Sequence, residues 1–157
     1  MRQPRPSLPL LIVFLAACVS TTTHPAIDVE REVSGKILTR LQAAAERFYN
    51  KDPLAYTELL AEDVTYFAPI TPGRVEGRDA VRALFIPFQG KLSVPRFEIQ
   101  NPKLQLHGDI GIFTYNLNEY GTDGAVATRW NSTEVYRRFG DKWQAVHAHW
   151  SQIPKTQ

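Results

Sequence analysis

A chain of 157 residues with 43% hydrophobic content and 11 prolines spread along it has the make-up of one compact domain, not of a disordered polymer or a multidomain assembly. Its formal charge is only +2, and two of the basic residues, Arg2 and Arg5, sit at the extreme N-terminus ahead of an apolar run. Once that leader is removed, 16 basic residues face 16 acidic ones, so no persistent basic face is available for nucleic acid.

The apolar run LPLLIVFLAA, residues 8–17, is too short to cross a bilayer as a mature helix and reads as the core of a secretory signal peptide. It ends in LAAC, with leucine three places and alanine one place before Cys18, the single cysteine of the chain. The motif resembles the lipobox of bacterial lipoproteins. That resemblance implies cleavage before Cys18, a diacylglycerol on its thiol, and a lipid-anchored protein of the bacterial cell envelope. Val19 in place of aspartate implies the outer membrane where the cell has one. A lone cysteine excludes an internal disulfide. Residues 18–30, including VSTTTHPAIDVE, carry no hydrophobic period and read as lipidated cysteine plus flexible tether, which leaves 31–153 as the folded domain.

Within that domain Ile37, Leu38, Leu41, Ala44, Ala45, Phe48 and Tyr49 recur at helical spacing and predict a long amphipathic helix. Asp52 and Pro53 suit an N-cap and first helical position, so PLAYTELLAED is expected as a short second helix. Residues 64–68 alternate like a strand. A third helix is expected from Arg78 with Val81, Leu84, Phe85 and Phe88 facing inward, limited by Pro87. Four strand-like runs follow, near 94–106, 109–120, 126–139 and 142–151, separated by Gly-Asp and Gly-rich turns that predict antiparallel neighbours. Three helices ahead of an antiparallel meander is an α+β arrangement, and the sheet must curl around the helices to cover their apolar stripes.

This order of elements resembles the nuclear transport factor 2-like, or SnoaL-like, cone, which is cystatin-like in architecture. The segments AYTELL, RVEGRDAVRALF, IQNPKLQLHGD and TEVYRRFGDKWQAVHAHWS further resemble the association domain of calcium/calmodulin-dependent protein kinase type II, over about residues 37–151. In that kinase the domain assembles subunits into rings, and its cavity holds arginines that receive a carboxylate. The resemblance implies a homo-dimer or larger assembly. It places the family's tyrosine at Tyr56 and its three pocket arginines at Asn116, Glu134 and Trp150, all replaced. A carboxylate beside Glu134 would meet like charge. The implied cavity is instead an aromatic box lined by Tyr56, Tyr66, Asn116, Asn118, Trp130, Glu134 and Trp150, fit for a small neutral or amphipathic ligand.

Strict alternation through WQAVHAHWS puts Val146, Ala148 and Trp150 on one face and Ala145, His147, His149 and Ser151 on the other. With Trp150 turned into the cavity, His147 and His149 fall on the outer face, where they are expected in a contact between copies. Two histidines fall short of a zinc site, which wants a third ligand and an outer hydrogen-bonding shell, so neither metal nor cofactor is expected. Glu134 carries the most chemistry. An acid in an aromatic cavity gains proton affinity and can serve as general base, which defines the alternative function: an isomerase, cyclase or hydrolase with Tyr56 or Tyr66 as hydrogen-bond donor. A salt bridge from Glu134 to Arg129 or Arg137, or exposure to solvent, would argue for a scaffold. A non-enzymatic, membrane-anchored association module is the main expectation.

Overall fold

The computed structural model describes residues 25–155. The expected signal peptide, Cys18 and the first part of the expected tether lie outside them. Helix α1 spans Pro25–Tyr49, so residues 25–30, expected in the tether, belong to the helix. Asp28 in its first turn complements the positive end of the helix dipole, and Arg31–Asp28 and Lys36–Glu32 pairs add support one turn apart. Burial begins at Val33 and continues through Ile37, Leu41, Ala44, Ala45 and Tyr49, the stripe that the sequence spacing predicts. The helix stops where Lys51 adopts φ 70°. No helix among the described residues is long and apolar enough to cross a membrane.

The expected second helix is instead a 3₁₀ segment, Pro53–Leu59. Pro53, Leu54, Ala55, Tyr56, Thr57 and Leu59 are all buried, so the segment has no solvent face to give it an amphipathic period. Asp52 makes no capping bond, because its carboxylate accepts from the guanidinium of Arg47. Strand β1 starts early, at Leu60, and runs to Phe67. After a short β2, Val75–Glu76, helix α2 covers Arg78–Phe85. Gly77 just before it has φ 89°, a conformation open to glycine at little cost. Pro87 falls in a 3₁₀ turn, Ile86–Phe88, and Phe88 is exposed at the cavity rim rather than turned into the core.

Strands β3 (Arg96–His107), β4 (Ile110–Tyr120), β5 (Val126–Phe139) and β6 (Lys142–Gln152) form the expected antiparallel meander. Their turns contain Gly108 and Gly140 at φ 61° and 59°. The sheet as a whole is mixed, in order β2-β1-β6-β5-β4-β3, because β1 lies parallel to β6. The α+β cone therefore holds, with two α-helices and two 3₁₀ segments where three helices were expected. One face of the sheet packs on α1, α2 and the first 3₁₀ segment, and no helix among the described residues covers the opposite face.

The β5–β6 register shifts between Val135, opposite His147, and Tyr136, opposite Ala145. Val146 is the extra residue of a β-bulge, which breaks strict alternation. Ala145 consequently joins Ala148 at 0% exposure on the inner face, where simple alternation had put it on the outer one.

Candidate functional site

Two strands and the first 3₁₀ segment converge on one acid at the floor of the cone. Glu134 of β5 is 0% exposed. Its Oε1 accepts from the hydroxyls of Tyr56 at 2.9 Å and Tyr115 at 3.0 Å, and its Oε2 from that of Tyr136 at 2.6 Å. Tyr56 in turn accepts from Nε1 of Trp150 at 3.2 Å. Burial raises the carboxyl of Glu134 above its ordinary pKa, and the bonds from Tyr136, Tyr56 and Tyr115 oppose that rise. Burial also raises the three tyrosines, and the nearby Glu134 charge adds to it. Neither expected arginine partner reaches the acid: Arg137 pairs with Asp63 at 3.2 Å, and Arg129 is exposed.

Above this floor lies a cavity of about 300 Å³. Helix α1 supplies Leu41, Ala45, Phe48 and Tyr49, and α2 with the turn after it supplies Phe85 and Phe88. Of the seven residues expected on the wall, Tyr56, Tyr66, Trp130 and Trp150 are there. Glu134 is beneath the floor and not on the wall, since its tyrosines cover it. Asn116 and Asn118 lie on the opposite face of the sheet. Phe113, Tyr115 and Leu117 take the inner positions of β4 at 3% exposure or less, so the asparagines between them must point outward. There Asn116 donates to Asn131 at 2.8 Å, and Asn118 donates to Gln100 at 3.1 Å.

The wall contains an acid that the sequence reading missed. Glu119, two residues beyond Leu117 on the same face, lines the cavity and accepts from the Tyr49 hydroxyl at 2.7 Å. The alternation of β4 carries the signal once its phase is known. Burial raises the pKa of Tyr49, and the Glu119 charge adds to it. Nε1 of Trp130 is buried without a hydrogen-bond partner among the described residues.

On the outer face His147 shares a hydrogen bond of 2.8 Å with Oγ1 of Thr65, and the ring of Phe67 lies 6.1 Å from His147 and 5.7 Å from His149. Burial lowers the pKa of His147, with His149 contributing. Across the strands the same face presents Ile112 beside Val135 and Thr114 beside Thr133. Among the described residues no group of three His, Cys, Asp or Glu side chains is placed to hold a metal ion.

Residues 30–154 match the family model of the calcium/calmodulin dependent protein kinase II association domain. Among solved structures, a Parabacteroides distasonis protein provisionally named a ketosteroid isomerase is 31% identical, with a TM-score of 0.63 over 74% of this chain and 85% of that one. The S. rosetta calcium/calmodulin-dependent kinase II hub is 25% identical over 85% of this chain and 100% of its own, with a TM-score of 0.56. The association domain of the C. elegans kinase shares the fold, at 23% identity and a TM-score of 0.63 over 79% of this chain and 98% of that one. This chain belongs to the kinase II association domain family, within the nuclear transport factor 2-like fold.

Proposed function

We propose that this association domain is a non-enzymatic module that pairs with copies of itself through the outer face of its sheet and holds a small apolar or amphipathic ligand in its cone. The observation that carries the reading is the division of labour inside the cone. Apart from one acid, Glu119, the cavity wall is aromatic and aliphatic, while the most deeply buried acid, Glu134, is occupied by three tyrosine hydroxyls. An apolar cavity with few convergent polar groups is the usual form of a small-molecule site.

The alternative, an isomerase, cyclase or hydrolase with Glu134 as general base, requires that carboxylate to come within hydrogen-bond reach of a bound molecule. Both of its oxygens are engaged and the residue has no exposed surface, which speaks against that role. Self-association is supported by family membership and by the name of the S. rosetta hub. It is supported too by an outer face on which Ile112, Val135 and two threonines stand at the centre of the sheet. A stable pairing of standard size through such a face buries roughly 1,200–2,000 Å² in total. A lipid on Cys18 would hold the module at the envelope membrane, with the outer membrane favoured by Val19 where one exists.

The test is mass spectrometry of small molecules released from the purified protein, beside light scattering at tens of micromolar. A retained apolar or amphipathic compound and a mass of two subunits or more are expected. Turnover of a cavity-bound compound that is abolished by Glu134→Gln would replace this reading with the enzymatic one.

A further inference from the structure

We infer that the cone selects a lipophilic cation: an organic ammonium whose apolar body fills the aromatic box and whose charge faces Glu119. This rests on the cavity reading above and gives it a chemistry. Among the described residues sixteen line the cavity, and Glu119 is the sole charged one of them, with no lysine, arginine or histidine present. Nor is Glu119 saturated. Its Oε1 accepts from Tyr49, whereas its Oε2 makes no hydrogen bond among the described residues. Glu119 is half-buried, so its open oxygen is left accessible to a guest of opposite charge, at a site where the effective dielectric is below that of bulk water.

The walls suit the same guest. Trp130 and Trp150 stand 6.4 Å apart at 81°, Tyr56 and Trp150 6.2 Å apart at 75°, and Tyr56 and Tyr66 6.3 Å apart at 62°. These rings give the cavity an aromatic wall, and an aromatic ring face carries the negative side of the quadrupole that attracts an ammonium. Beneath the floor, Glu134 has no cationic partner among the described residues, so any charge it carries adds to the same sign of field. An anionic guest meets the opposite situation, with a carboxylate on the wall and no guanidinium or ammonium to receive it. A cavity of about 300 Å³ sets the guest at the scale of a single ring with a short arm.

Three probes of nearly equal shape separate the possibilities by NMR titration of the purified protein: benzyltrimethylammonium, its uncharged isostere neopentylbenzene, and anionic 3-phenylpropanoate. Benzyltrimethylammonium is expected to bind at least tenfold more tightly than neopentylbenzene, and 3-phenylpropanoate more weakly than either. Glu119→Gln keeps an acceptor for Tyr49 and should erase the tenfold preference while leaving neopentylbenzene affinity within a factor of two. Trp130→Leu, a second variant that leaves the acid in place, should lower the affinity for the cation more than that for the isostere. Neopentylbenzene or 3-phenylpropanoate binding as tightly as the cation overturns the inference and leaves the cavity reading standing. Failure of all three probes overturns both.

Discussion

Tyr136→Phe isolates one hydrogen bond in the cone floor. Tyr136 is 1% exposed and Glu134 0%, and the hydroxyl, 2.6 Å from Oε2, is the only donor to that oxygen among the described residues. The ring itself is kept, including its edge-on contact with Phe113 at 6.3 Å and 87°, so the change removes the donor with little loss of packing. A hydrogen bond to a charged group contributes about 1.5–3 kcal/mol, and that is the expected loss wherever Glu134 is ionised. The sign of the pH dependence follows from linkage. Burial already raises the folded-state pKa of Glu134, and Tyr136 is the strongest of the bonds opposing that rise. Removing the bond raises the pKa further. A carboxyl with a raised folded pKa binds more protons folded than unfolded, so stability falls as pH climbs above the ordinary carboxylate range toward the folded value. The variant's decline continues to higher pH than the parent's. Urea unfolding followed by tryptophan fluorescence at pH 5, 7 and 9 should show the gap between them widening with pH. A gap that is constant, or below about 0.5 kcal/mol throughout, refutes the placement of an ionisable acid in the tyrosine cage.

Glu134→Gln should do the reverse, gaining stability relative to the parent as pH rises, by about 1.4 kcal/mol for each tenfold by which burial has raised the acid's proton affinity. A lower melting temperature than the parent at pH 9 would make the carboxylate a net stabiliser and end that account. Thr133→Arg, at an exposed position of the outer face between Thr114 and His149, should place charge against charge across a two-fold contact. Light scattering should then give a folded monomer whose melting temperature no longer depends on protein concentration; a parent that is itself monomeric defeats the self-association reading. Cys18→Ser should release the protein from membranes that retain the parent through a salt wash, because stable anchoring takes more than one acyl chain. An unmodified Cys18 in the parent's mass spectrum would remove the lipid anchor.

The parts of the fold legible in the sequence are those set by local pattern. The stripe from Ile37 to Tyr49 needs only a period of 3.6 to be seen, and the Gly108-Asp109 and Gly140-Asp141 turns demand left-handed glycines wherever their strands go. The start of β1 at Leu60 was not legible, because its pairing partner, Ala145, lies far along the chain and parallel. Nor was the phase of β4. IGIFTYNLNEY has apolar residues on both faces, Ile110 and Ile112 outward and Phe113, Tyr115 and Leu117 inward. Shifting that phase by one residue exchanges Asn116 and Asn118 for Glu119 on the cavity wall. The bulge at Val146 hides from alternation for the same reason.

Two acids on one face of the sheet are thereby given different work by the number of donors around them. Glu134 gathers hydroxyls from the first 3₁₀ segment, β4 and β5, and a fully satisfied buried network of that kind fixes the relative positions of the elements that contribute to it. Its influence on the cavity is indirect: the Tyr56 hydroxyl that it holds is also the acceptor for Trp150, whose ring forms part of the wall. Glu119 has one donor and one open oxygen. The acid with three donors sets the shape of the cone, and the acid with one is left to meet what enters it.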